Sequence, residues 1–280
     1  MYDWSKIHSE TKLLLGDKNL SFEDFLNKNN DVDKVESFKS EMFAATIFKE
    51  LSKIKPYSIS LVEQLGSNHP DIKLKINNKI THIEITRISS QDNRFKSKIT
   101  KRKAFNANNQ EHQIELDFTK VMIISKITEK CIQYSKWIKK GIIHKDDAKI
   151  IGIDLGEIFP VTASAPVLFS AYNMLKDSFD ILTDKHSDRA EVSLISPRES
   201  IVKINMKGEG VIIHQDILLD AITNSHINGI FAFTRFGLPT YLQVISINSN
   251  ELMNCLYEYY FLRSLKYNVQ ASMLRHEFLR

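Results

Sequence analysis

An α/β fold, with a mixed central sheet flanked by helices, is what this 280-residue sequence predicts, and three observations predict it. Apolar stripes at helical spacing alternate along the chain with short strand-like runs, the pattern of layered helices and sheet. From Asp71 to Arg87 polar and apolar residues alternate, and Asn77-Asn78 interrupts them as a tight turn, which reads as a β-hairpin. The run Ile150-Ile151-Gly152-Ile153-Asp154-Leu155 then reads as an apolar strand following a long helix.

The elements can be justified in order. Phe43, Ala44, Ile47, Phe48 and Leu51 recur at helical spacing, so a helix packed on the sheet is expected from about residue 34 to residue 54. Glu41 lies near the edge of that stripe, with Glu36 an alternative one to two turns earlier. In the hairpin, side chains alternate across the second strand. His82, Glu84 and Thr86 therefore share one face, and Ile83 and Ile85 the other. Asp71 begins the first strand and Glu84 nearly ends the second, so closing the hairpin brings both carboxylates to its open end. Converging oxygen ligands of this kind suit Mg²⁺ or Mn²⁺. An ordinary amphipathic hairpin with one solvated face would show the same alternation.

Beyond the hairpin, Arg94, Lys96, Lys98, Lys101, Arg102 and Lys103 occur with no acidic residue among them. Such a segment can neutralise phosphates along a nucleic-acid backbone, and it can equally be a solvated connection. Residues 105–113, rich in Asn and Gln, read as a loop. Phe118, Val121, Ile124, Ile127, Cys131 and Tyr134 then mark the core face of a helix over about 116–140. Lys126 and Lys130 lie four residues apart on one side of it. In the second half a helix is expected near 165–175, strands at 191–195, 201–206 and 210–214, and a helix over 216–223. An antiparallel pair at 229–234 and 241–247 extends the sheet, and a closing helix runs over about 248–266. No repeat or low-complexity linker appears, so residues 1–280 read as one elaborated domain, with a core at 36–159 and a C-terminal α/β extension at 160–280.

Composition bounds the remaining classes. A hydrophobic content of 42% in 280 residues is ample for a core. Cys131 and Cys255 form neither a metal-ligand pair nor a disulfide framework, which suits a reducing, cytoplasmic setting. The N-terminus has no basic region followed by an apolar run, so no secretory signal is expected; export as an effector by another route is the alternative. The uncharged stretch 158–175 contains Pro160, Pro166 and several polar residues, which suit a loop and buried helix better than a membrane span. There is no G-x-x-x-x-G-K-[ST] phosphate loop, H-E-x-x-H pair or G-x-S-x-G elbow. His69 and His82 flank the carboxylates, where a histidine could ligate or take up a proton but more often bonds locally.

Taken together, the helix bearing Glu41, the Pro70-Asp71 strand, the Glu84-Ile85-Thr86 strand, the lysine-bearing helix and the apolar strand that follows resemble the PD-(D/E)xK nucleases, the restriction-endonuclease-like fold. The resemblance covers about residues 36–159 and rests on short motifs in a definite order. It implies that Glu41, Asp71 and Glu84, with the backbone carbonyl of Ile85, bind one or two Mg²⁺ or Mn²⁺ ions. It departs from the family at position 86, where threonine replaces the lysine that positions the attacking water. Lys130, in Lys130-Cys131-Ile132-Gln133-Tyr134, is the substitute expected from the helix, with Thr86 as a polar supporting group. The implied function is a metal-dependent DNA endonuclease of defence, restriction or mobile-element processing, with a homodimer as one assembly. The competing expectation is a non-catalytic nucleic-acid-binding or protein-binding adaptor on the same fold.

Overall fold

Asn77 and Asn78 both adopt the left-handed backbone, at φ 46° and 68°, the requirement of a two-residue type I′ turn, where asparagine is tolerated better than other side chains. Ile76 is thereby paired with Lys79, and the register of the whole hairpin follows: Leu74 faces Thr81 and Ile72 faces Ile83. The computed structural model describes residues 2–12, 15, 21–53, 59–62, 69–88, 111–155, 200–204, 210–214, 224–233, 235, 242–247, 250–258 and 271–276.

Three helices lead into the sheet: α1 (Trp4–Thr11), α2 (Phe22–Lys28) and α3 (Val32–Leu51). Each has a side-chain cap that satisfies backbone N–H groups lacking a helical partner. Asp3 accepts from Lys6 N at 3.0 Å and Asp31 from Asp33 N at 2.9 Å. Ser21 and Asp24 exchange reciprocal bonds as a capping box. The strands are β1 (Ile59–Val62), β2 (Ile72–Ile76), β3 (Lys79–Arg87), β4 (Ala148–Asp154), β5 (Ser200–Ile204), β6 (Gly210–His214), β7 (Gly229–Phe233), β8 (Leu242–Ile247) and β9 (Ala271–His276), with the long helix α4 (Glu111–Lys139) between β3 and β4. Residues 251–258 are also helical.

The chain divides into two compact, interleaved units: residues 1–87, 136–156 and 226–280 form one, and 88–135 with 157–225 the other. The first holds a mixed seven-stranded sheet in the order β1-β2-β3-β4-β7-β8-β9. β1, β2 and β3 form an antiparallel meander, while β3, β4 and β7 run parallel at the centre. Central parallel strands are covered on both faces, and β4 and β7 accordingly read as near-continuous apolar runs. β8 is antiparallel to β7, as expected for that pair, and β9 parallel to β8. The second unit holds the two-stranded sheet β5-β6 and most of α4. The C-terminal strands β7 to β9 therefore belong to the same unit and sheet as the core expected at residues 36–159.

Cross-strand partners share a face. Ile72, Ile83 and Ile85 belong to one buried cluster with Met42, Phe43, Ala44, Ile47 and Phe48 of α3, so α3 covers the odd-numbered face of β3. Phe43 stacks on Phe233 and Phe48 meets Phe231 edge-on. Gly152 makes this packing possible, because a Cβ there would lie 2.6 Å from both Ile85 Cδ1 and Phe231 Cζ.

Sequence reading missed α1, α2, β1 and β9 and began α4 five residues late, inside the Asn/Gln-rich stretch. Residues 94–103, 165–175, 191–195 and 216–223 lie outside the described residues. Gly152→Ala is expected to lower the unfolding free energy by about 1–3 kcal/mol through overpacking, partly relieved by Ile85→Val, as read from urea denaturation. Asn78→Ala should lower it by about 1 kcal/mol, while Asn78→Gly should not lower it at all.

Candidate functional site

Continuing the β2–β3 register one residue past Ile72–Ile83 sets Asp71 across from Glu84. The side chains bear this out, for Ile85 N–H donates to Asp71 Oδ2 at 2.7 Å. β2 ends before it can supply a carbonyl to Ile85, and the Asp71 carboxylate takes that place. The N–H and C=O of one residue in an extended strand point to the same side. The Ile85 carbonyl is thus aimed toward the Asp71 side as well.

Glu84 is only 5% exposed. Its neighbours along the row are Ile151 on β4 and Ile230 on β7, so a carboxylate stands at the margin of an apolar strip. Charge in such a place requires compensation by a cation, a proton or hydrogen bonds. Thr86 lies two residues on, buried and opposite Ile153. The sequence left open a hairpin with one solvated face; instead β3 is interior to the sheet, and every residue from Thr81 to Arg87 is buried.

Glu41 is half-buried on α3. Because α3 covers the face carrying Ile83 and Ile85, its helix lies over the opposite face of β3 from the Glu84 side chain. Among the described residues no group of three or more His, Cys, Asp or Glu side chains is arranged to hold a metal ion. The strand register thus brings Asp71 and Glu84 together, and Glu41 is not gathered with them into a three-carboxylate cage.

Lys130 belongs to the second unit, where its Nζ donates to Gln133 Oε1 at 3.2 Å; Lys126 pairs with Glu129. Ile127, Cys131 and Tyr134 are buried, as the helical periodicity predicts, and Trp137 is buried as well. The six basic residues Arg94, Lys96, Lys98, Lys101, Arg102 and Lys103 lie outside the described residues. Among the described residues no helix is long and apolar enough to cross a membrane.

Two further clusters were not read from the sequence. His82, on the Glu84 face, bonds Asp147 through Nε2 at 2.9 Å. Burial holds its imidazole below the usual histidine range, and Asp147 opposes that shift. Its partners across the strands are Lys73 and Lys149. Lys73 shares the face of Asp71 and Glu84, a placement that the alternation Asp71-Ile72-Lys73 could have signalled. Lys149 is 1% exposed, donates to the carbonyls of Lys145 and Asp147, and is pushed by burial down to about 8.

On the α3 face, Arg235 Nε bonds Asp154 Oδ2 and Arg235 Nη1 bonds Glu36 Oε2 at 3.0 Å. Ser40 Oγ donates to the same Asp154 oxygen at 2.7 Å. Lys39 bonds Glu36 Oε1 at 2.7 Å. Arg235 and Lys39 both approach the Trp4 ring. Burial alone would raise Glu36, but the bonds from Lys39 and Arg235 hold its carboxyl below the usual range. The signal available in sequence was Asp154 itself, a charge inside an apolar strand.

No protein-family profile, no curated protein and no solved structure matches this chain.

The buried Lys149 carries a pH signature. An unfolded lysine titrates near 10.4, so between about 8 and that value the unfolded chain holds the extra proton and stability rises with pH. Below about 8 both states are protonated and the penalty is constant. Urea denaturation across pH 7 to 10.5 should show this rise in the wild type and a flatter profile in Lys149→Met.

Proposed function

We propose that the chain is a metal-dependent phosphodiesterase of the restriction-endonuclease-like class acting on DNA in the cytoplasm. The observation that carries this reading is the Asp71 carboxylate bound by Ile85 N–H, just past the Ile72–Ile83 pair and so across from buried Glu84. The order of elements adds support. α3, the antiparallel meander β1-β2-β3, the long α4 and a β4 parallel to β3 agree with the order the resemblance implies.

The donor set fits Mg²⁺ or Mn²⁺. Mg²⁺ is usually held by one or two carboxylates and completes its shell with water and substrate phosphate, so Asp71, Glu84 and the Ile85 carbonyl are a sufficient protein contribution. Such an ion would supply positive charge opposite the scissile phosphate and lower the pKa of the attacking water.

The chain's own groups do the rest. Ile85 N–H fixes the Asp71 carboxylate in one orientation. The Ile151–Ile230 strip beside Glu84 lowers the local dielectric and strengthens its attraction for a cation. Thr86 offers a hydroxyl that can orient water but carries no charge, so the ammonium must come from elsewhere. By the family resemblance Lys130 is the expected source, and the basic residues between Arg94 and Lys103 would neutralise DNA phosphates.

Purified protein incubated with plasmid, linear DNA and RNA, with Mg²⁺, Mn²⁺ or chelator, tests the reading. Metal-dependent DNA cleavage should fall by about 100-fold or more in Asp71→Ala and Glu84→Ala and comparably in Lys130→Ala, with Lys73→Ala run beside it as the alternative ammonium. Cleavage that survives both carboxylate substitutions would refute the site. DNA binding without cleavage would favour an adaptor on the same fold.

A further inference from the structure

We propose that Lys73 and Lys75 form a track for the backbone of a DNA strand, leading along β2 into the carboxylate pair: Lys73 meets the phosphate nearest Asp71 and Glu84, and Lys75 a neighbouring one. The choice of ligand rests on the nuclease reading. The starting point is the alternation of β2, whose residues are buried and half-buried by turns. Ile72, Leu74 and Ile76 enter the core with α3, so Lys73 and Lys75 stand on the opposite face, in line with Asp71. The three follow one another at steps of about 6.7 Å. Lys73 lies opposite His82, which makes it the diagonal neighbour of Glu84. Diagonal neighbours on one face are about 7–8 Å apart, within reach of a long side chain.

The second support is the state of the charges. Lys39, Lys49 and Lys126 are paired with Glu36, Glu10 and Glu129, and Lys149 is committed to two backbone carbonyls. Among the described residues no acidic side chain forms an ion pair with Lys73 or Lys75. A half-buried lysine lays its stem along apolar surface and keeps its charge in water. Beyond them on β1, Ser60 is opposite Lys75 and Val62 opposite Lys73; Ser60 is exposed, so this part of the face is reached from solvent. Like charges at successive positions on one face repel, and a polyanion relieves that repulsion while releasing its own counterions. Evenly spaced ammonium groups fit a repeating phosphate chain better than one small anion.

The control lies in the same hairpin. Lys79 is exposed and pairs with Ile76, so it carries the same charge on the face that α3 covers. Binding of a labelled DNA duplex is measured by fluorescence anisotropy with chelator present, over about 50 to 200 mM salt. The proteins are wild type, Lys73→Gln, Lys75→Gln, the double variant, Lys75→Arg and Lys79→Gln, with urea denaturation to verify folding. Lys73→Gln and Lys75→Gln should each reduce the slope of log K against log salt by about 0.9, and the double variant by about 1.8. Lys75→Arg and Lys79→Gln should keep the wild-type slope. Unchanged slopes at Lys73 and Lys75, or an equal drop at Lys79, would overturn the track while leaving a wild type that cleaves DNA a nuclease. Binding that depends on Lys73 and Lys75 in a wild type that cleaves nothing with Mg²⁺ or Mn²⁺ would uphold the track and overturn the nuclease reading. A wild type that neither binds nor cleaves DNA would overturn both.

Discussion

Register between β2 and β3 is the constraint on which everything else in this sheet depends. Side chains alternate with a period of two, so a slip of one residue would turn Glu84 and Thr86 onto the α3 face and push Ile83 and Ile85 off it. The turn at Asn77-Asn78 forbids that slip, because its two left-handed residues allow only one pairing of the flanking strands. On the other edge of β3, β4 is held in its own parallel register, with Glu84 opposite Ile151 and Arg87 opposite Asp154.

The two faces of β3 are divided by task. The odd-numbered side carries Ile83 and Ile85 into the core with α3. The even-numbered side carries His82, Glu84 and Thr86, polar groups that an interior strand would be expected to avoid. Burial of polar side chains in one row, next to apolar rows on β4 and β7, is a local inconsistency between composition and position, and such inconsistencies collect where a chain does chemistry. Arg235 and Asp154 make a second such place on the other face.

How much of this was legible in the sequence depended on distance along the chain. The hairpin's turn and register were readable because turn chemistry and alternation are local, although its first strand begins at Ile72 rather than Asp71, and α3, α4, β4 and the β7–β8 pair were readable from their own periodicity. Local patterns also gave the facing of Glu84 and Ile85. They could not give the interior position of β3, which is set by its pairing with β4, where Lys149 lies opposite His82. Nor could they give the Asp154–Arg235 pair, whose members are 81 residues apart. α1 and α2 are short and escaped notice, although Ser21 and Asp24 spell a capping box. The lesson from Glu41 is similar: helical periodicity located its element, but which face of the sheet that element covers is a property of the strands.

One feature of the topology bears on how the chain reaches this state. β4 is central and parallel, yet its neighbour β7 is separated from it by the whole of the second unit's stretch 157–225. During synthesis the meander and β4 emerge long before β7, leaving an open, sticky edge exposed on the ribosome. Such wide sequence separation between pairing strands slows the search for the native arrangement. Until β7 arrives, the free edge of β4 is thus the place where a partly made chain is most open to wrong pairing.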